Sequence, residues 1–320
     1  MSGIDVERKC LDNANTKLRR YWSVFSNLFL AKDLKKYDLV IANSTDCFCF
    51  ALLFWLLKLL GVKTAILLHH FLFHGEVKFR RLYCRMLEGN FLSAASSIIV
   101  PSPYINDLCH KMYPRKEVHY WQIPFEPSPS ALPANPIPGN LLYIGTIEHR
   151  KGLLHLIEAM ALLKNRGADY RLTIVGKNNS QAYKDMLDQK IEENKLNVRF
   201  TGFVSSEELD RIISEADIFT FPSRLEGYGM VICESMVSGL PVICFNNSAM
   251  PYTVKNGVNG LLVADGDNEA LADAIAKVVE DRDLRKRLSD GALATVETFM
   301  THARYRKIVE KEIYDLLLKK

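Results

Sequence analysis

No run in this sequence of 320 residues is long and apolar enough to span a membrane, and no two of its cysteines have CxxC spacing. The strongest apolar run, CFCFALLFWLLKLLG at 47–61, is interrupted by Lys58 and falls short of the roughly 20 residues a spanning helix needs. It lies between two strand-like segments, where a parallel sheet requires a crossover, so a buried helix is expected; a membrane-surface helix is the alternative. The seven cysteines, at 10, 47, 49, 84, 109, 233 and 244, are odd in number and mostly sit in apolar runs. They read as reduced core residues rather than a disulfide framework or a zinc site. The opening MSGIDVERKC lacks the apolar core of a signal peptide, and a cytoplasmic chain is expected. Charge of one sign is also scarce in excess: 41 basic against 37 acidic residues leave a formal +4, spread along the chain. That distribution argues against a nucleic-acid surface.

What is present is alternation. From Asp38, short β-rich runs (YDLVIANS, KTAILLHH, SSIIVPS, VHYWQIP) alternate with helical stretches at 47–61, about 76–92 and 103–112, the pattern of a parallel sheet covered by helices. A segment with prolines at 124, 127, 129, 133, 136 and 138 then denies the backbone helix and sheet continuity. The alternation restarts with NLLYIGT and continues through YRLTIVG, NVRFTGF, DIFTFPS, LPVICFN and NGLLV, with helices predicted at 151–166, 180–194, 205–215 and 229–238. The expected fold class is α/β with two doubly wound Rossmann-like domains, 1–137 and 138–300, whose strand carboxyl ends face a cleft. Helices at 268–280 and 282–320 close the chain, with 301–320 expected to pack back on the first domain.

Two segments carry candidate chemistry. In FPSRLEGYGMVICESMVSGLPVI, a strand leads through Glu226, Gly227, Tyr228 and Gly229 into a helix bearing Glu234. Glycines at a helix start let backbone N–H groups approach a diphosphate or a sugar hydroxyl, and ionised carboxylates accept paired hydroxyl hydrogen bonds. Glu234 sits among Val231, Ile232, Cys233, Met236 and Val237, so it is expected to be largely buried, where an unpaired carboxylate is costly. In YIGTIEHRKG, Gly145 ends a strand, and Arg150 and Lys151 precede a helix N-terminus; this reads equally as a phosphate clamp or as a solvated basic turn. His69 and His70 end the KTAILLHH strand, on the ligand side of such a sheet; His74, His149 and His155 carry weaker claims. Asp265-Gly266-Asp267 has the look of a metal-binding DxD, but Asp267 is better placed as the N-cap of the helix that follows.

Taken together these segments resemble family 4 of the glycosyltransferases, retaining enzymes of the GT-B fold. The likeness runs from about Asp38 to Leu262: Glu226 and Glu234 match the family's ExxxxxxxE signature, Gly145 with Lys151 and Gly152 its strand-KG-helix segment, and TGFV, GLPVI and NGLLV follow in order. The resemblance implies transfer of a sugar from a nucleoside-diphosphate donor, UDP- or GDP-linked, to a glycan or lipid-linked acceptor, without a bound metal. It implies that Glu234 holds the ribose and that Glu226, Gly227, Tyr228 and Gly229 hold the donor sugar. Lys151 would neutralise the leaving diphosphate, Gly202 and Phe203 would lie near the base, and His69 would face the sugar.

Three departures bear on this. Thr146 stands where the family usually has arginine, leaving Arg150 or Arg224 as substitutes. Asn246, Asn247 and Ser248 replace a Gly-Gly-x-x-Glu turn. The family's first strand and glycine-rich loop have no counterpart before Asp38, which leaves a truncated relative, a naturally compact member or a chain whose first domain a partner subunit completes as the expectations. Peripheral contact with the inner face of a membrane is a further expectation, from the basic, aromatic stretch with Arg80, Arg81, Tyr83 and Arg85 near the apolar helix. A non-catalytic donor-binding subunit and a nucleotide-sugar epimerase on the same fold are the other readings of these residues.

Overall fold

The computed structural model describes residues 28–44, 47–71, 78–126 and 136–318. Prolines 127, 129 and 133 of the predicted linker, His74, and everything before residue 28 lie outside the described residues. The chain divides into two compact units: one contains residues up to Val100, Cys109–Tyr120 and Glu310–Lys320, and the other Pro101–Leu108 and Trp121–Val309.

In the first unit a short helix, α1 (Ala31–Leu34), precedes β1 (Leu39–Asn43), α2 (Cys47–Leu59), β2 (Lys63–Leu67), α3 (Lys78–Ala94), β3 (Ser97–Val100), α4 (Pro103–Met112, shared between the units) and β4 (Glu117–Tyr120). The strands are parallel in the order β1-β2-β3-β4. Every residue of β3 is buried, as expected of a strand covered on both faces, whereas β1 and β4 are edges with partly exposed residues. The apolar run forms α2 and buries Phe50, Leu53, Phe54 and Leu57, with Phe54 edge-on to Phe91 of α3 at 4.8 Å. Its opposite face is not buried: Leu52, Trp55 and Leu59 are exposed.

The second unit runs β5 (Asn140–Ile144), α5 (Leu153–Asn165), β6 (Arg171–Val175), α6 (Gln181–Glu193), β7 (Asn197–Gly202), α7 (Ser206–Glu215), β8 (Ile218–Phe221), α8 (Met230–Val237), β9 (Val242–Phe245), α9 (Met250–Thr253), β10 (Gly260–Val263), α10 (Asn268–Glu280) and α11 (Arg282–Val296), followed by α12 (His302–Leu318). All six strands are parallel, in the order β10-β9-β8-β5-β6-β7. From β5 the chain winds outward to β7, then returns to the other side of β5 for β8 and winds outward again. The loops after β5 and β8 therefore diverge from adjacent strands, and that topological switch point is where doubly wound sheets open a crevice.

The single helix expected over 282–320 is two. Phe125 donates its backbone N–H to Met300 O at 2.7 Å and packs edge-on against Phe299 at 5.3 Å, and Glu126 accepts from the His302 N–H at 3.1 Å. These contacts hold residues 297–301 out of helical conformation. The last turn of α12 is tied within the first unit by Lys63, whose Nζ donates to the carbonyls of Leu316 and Leu317 at 2.8 and 2.7 Å, satisfying orphan acceptors of the helix end. Cys109, Cys233 and Cys244 are buried and unpaired, and burial pushes the thiols of Cys109 and Cys233 up to about 12. No helix among the described residues is long and apolar enough to cross a membrane.

Candidate active site

At the switch point, the loop after β5 and the loop after β8 bring together a lysine and a glutamate. Lys151 ends a single 3-10 turn, His149–Lys151, and Gly152 then takes a left-handed φ of 73° before α5 begins. A β-carbon at 152 would lie 1.8 Å from the Pro222 carbonyl oxygen, so only glycine lets the two loops touch. Gly152→Ala combines that clash with left-handed strain. It is expected to cost about 3 kcal/mol and to lower the melting temperature by roughly 6–12 °C, measured by calorimetry.

With the loops so apposed, Lys151 Nζ donates to Glu226 Oε1 at 2.5 Å and lies 5.3 Å from the centre of the Phe221 ring. The same carboxylate oxygen accepts from Ser223 Oγ at 2.8 Å and is 3.5 Å from Arg150 Nη1. Both members of the Lys151–Glu226 pair are largely enclosed, with side chains 14% and 11% exposed. Glu226 is thus no solvated loop residue. Its charge, after burial, is the next largest influence raising the pKa of Tyr143 beneath the loop. Neither basic residue is the open cation of a phosphate clamp: Arg150 also donates to Leu225 O and to Glu148 Oε1, each at 2.7 Å. Arg224, the other candidate to replace the cation absent at Thr146, is exposed and pairs with Asp265 at 3.5 Å. Thr146 contributes its carbonyl to the Tyr143 hydroxyl at 3.2 Å, and Gly145 donates its N–H to Val175 O at 2.9 Å.

Beyond Glu226, Gly227 and Tyr228 are half-buried, and Gly229, at φ 85°, is the N-cap of α8 without any side-chain cap. The first N–H groups of a helix lack partners within it, so this end favours an anion or a hydroxyl oxygen. The Tyr228 hydroxyl accepts from Gln122 Nε2 at 3.4 Å. Glu234, expected to be buried, is exposed. At about 100° per residue, Ile232, Cys233, Ser235 and Met236 share one buried arc, and 234 points to the opposite side. Enough protein nevertheless surrounds the carboxyl that desolvation raises its pKa. Gly202, φ 72°, ends β7, and the Phe203 side chain is 91% exposed.

His69 follows β2 in the first unit, where burial lowers its pKa and favours the neutral ring. Asp267 caps α10 by accepting from the Ala270 N–H at 2.9 Å, as its place before the helix predicts. Among the described residues, no three His, Cys, Asp or Glu side chains group closely enough to hold a metal ion. Sequence reasoning missed Ser223 and read Ser248 only as part of an altered turn. Ser223 carried a usable signal, lying three residues before Glu226 in a loop where a hydroxyl readily reaches back to its neighbours.

A parallel sheet with charged loops at its switch point and an uncapped helix beside them defines a class: a Rossmann-like unit with the means to hold a phosphorylated ligand. Residues 128–294, just over half the chain, match the family model for glycosyl transferases group 1, and residues 3–126 match that for Glycosyltransferase Family 4. The chain belongs to the glycosyl transferases group 1 family. The amylovoran biosynthesis glycosyltransferase AmsK of Erwinia amylovora is 32% identical over 182 residues, which are 54% of this chain and 44% of AmsK. The chain thus spans less than half the length of that relative. Among solved structures, sucrose-phosphate synthase from Thermosynechococcus elongatus superposes with a TM-score of 0.74 at 22% identity, over 94% of this chain and 79% of that one. Anabaena HepE in complex with UDP and glucose gives 0.72 at 21% identity, over 90% and 80%. These likenesses identify the fold as GT-B.

Proposed function

We propose that this protein is a retaining glycosyltransferase that moves a sugar from a nucleoside-diphosphate donor to a glycan or lipid-linked glycan. The observation that carries this reading is the enclosed Lys151–Glu226 pair at the switch point, next to the uncapped start of α8. A diphosphate reaching Lys151 competes with Glu226 for the ammonium. In this reading the exchange of partners frees Glu226 to accept sugar hydroxyls while Lys151 neutralises the phosphate as it leaves.

The bond from the anomeric carbon to the phosphate oxygen breaks, the acceptor oxygen bonds to that carbon on the same face, and the acceptor proton passes to the departing phosphate. Glu234 is the ribose acceptor, Gly202 and Phe203 flank the base, and Gly145, Thr146, Arg150 and Arg224 edge the diphosphate. The positive charge this reaction needs comes from the chain's own residues, and the reading calls for no metal. That HepE is described with UDP and glucose supports UDP as the first nucleotide to try. Calorimetric titration with UDP, GDP, ADP and their sugars tests the reading; no binding to any of them overturns it.

The acceptor side of the reading includes contact with an anionic membrane surface. Leu52, Trp55 and Leu59 of α2 and Leu82, Tyr83 and Met86 of α3 are exposed, as are the basic Lys58 and Arg85, and the one acid in either helix, Glu88, is buried. Apolar and aromatic groups beside exposed basic side chains suit an anionic lipid interface. In vesicle sedimentation the protein is expected to bind phosphatidylglycerol-containing vesicles over pure phosphatidylcholine. The Leu59→Asp, Met86→Asp double variant is expected to bind at least about tenfold less well.

A further inference from the structure

The backbone of Glu226 is held as firmly as its side chain, and by a different loop. Ser248 Oγ, just after β9, accepts the Glu226 N–H at 3.0 Å, and the neighbouring Ala249 N–H donates to Glu226 O at 3.3 Å. Ser248 Oγ in turn donates to Asn247 Oδ1 at 2.9 Å. Asn247 Nδ2 donates to Asp265 Oδ1 at 2.9 Å, and Asp265 faces Arg224 at 3.5 Å. The chain of contacts returns through Arg224, whose N–H donates to Arg150 O at 2.9 Å, to the loop that carries Lys151. Ser248 does this at a φ of 43°, one of two positive values at non-glycine residues among those described. Such a conformation is disfavoured for any residue with a β-carbon, and glycine would adopt it without strain. A serine held there against its backbone preference, with both hydrogen-bonding roles of its hydroxyl used on the Glu226 support, is placed for its side chain rather than for the turn.

We infer that Ser248 is a positioning residue that fixes Glu226 for the sugar of a nucleotide-sugar donor, so that it sets the preference for nucleotide-sugar over free nucleotide. The inference rests on the donor-site reading for its ligand, but its structural half stands alone. Two substitutions separate hydroxyl from backbone. Ser248→Ala removes the hydroxyl and keeps the strain, and Ser248→Gly removes both.

Each variant and the wild type are measured in two ways. In hydrogen exchange, the Glu226 amide is expected to exchange about tenfold faster in both variants, because its acceptor is gone. In calorimetry with UDP and UDP-glucose, and with GDP and GDP-mannose, both variants are expected to bind the free nucleotide within about twofold of wild type and the nucleotide-sugar about tenfold more weakly. Ser248→Gly is expected to melt above Ser248→Ala, so stability and sugar recognition part company. An unchanged Glu226 amide overturns the inference, as does recovery of sugar affinity in Ser248→Gly, or equal weakening toward both ligands. If the wild type binds none of these ligands the donor-site reading falls, and the exchange measurement still decides whether Ser248 holds Glu226.

Discussion

Lys151→Ala is expected to reduce sugar transfer, or donor hydrolysis if the acceptor is unknown, by about two to three orders of magnitude, and to destabilise the fold as well. The two losses have different origins. The first is expected from loss of the cation that the donor-site reading sets against the leaving diphosphate. The second is the stranding of Glu226, whose side chain is 11% exposed, with Ser223 at 2.8 Å and Arg150 at 3.5 Å as its remaining partners. Removing one member of a well-enclosed pair costs about 3 kcal/mol or more, and Arg150 offsets part of that. Lys151→Met with Glu226→Gln takes away both charges at similar volume. Thermal melts of this double variant are expected to return most of the lost stability while the transfer rate stays low. Recovery of both would assign the pair a structural role only.

Glu234→Ala is expected to weaken nucleotide binding by about two orders of magnitude, the equivalent of losing paired hydrogen bonds to an ionised acceptor. The pH dependence gives the sharper check. Desolvation raises the Glu234 pKa, so the ionised acceptor is lost at a higher pH than for an ordinary carboxylate as the solution is acidified. Affinity for the nucleotide is therefore expected to fall as pH drops through that raised value, and the Glu234→Gln profile is expected to be flat over the same range. The sign for folding is opposite. A carboxyl with a raised folded-state pKa favours the folded state only while protonated, and that contribution is lost as pH rises through the folded value. At neutral pH Glu234→Gln is thus expected to melt slightly above wild type while binding less nucleotide, a trade between stability and function. A melting temperature that falls together with affinity would point to a structural glutamate.

The fold was legible because parallel strands buried on both faces are written as unbroken apolar runs, and LLYI, LTIV and VICF emerge as β5, β6 and β9. Periodicity misled at α12, where the break at 297–301 is imposed by Phe125 and Glu126, more than 170 residues earlier in the chain. The site was legible as a set of residues but not as a set of partners. That Lys151 and Glu226 share a hydrogen bond depends on strand order, which local sequence does not contain. Glu234 shows the reverse error: apolar neighbours in sequence suggested burial, yet helical geometry turns that one position outward. Ser248 was seen only as a departure from a turn, since nothing local announces that its hydroxyl meets an amide 22 residues away.

The close approach of Gly152 to Pro222 has a bearing on how the protein could be re-engineered. Position 152 cannot accept a β-carbon whatever side chain stands at 222, because the atom it would meet is the backbone carbonyl of 222, and withdrawing that backbone would shift the loop that carries Glu226 away from Lys151. At the end of β7 the constraint is of another kind: a β-carbon on Gly202 would meet nothing within 4 Å but its φ of 72° still favours glycine, whereas the Phe203 side chain is exposed. On the donor-site reading, a library intended to alter which nucleotide is accepted should therefore randomise 203, keep Gly202 and leave the β5–β8 seam untouched, because an exposed side chain at 203 can change without moving the charges.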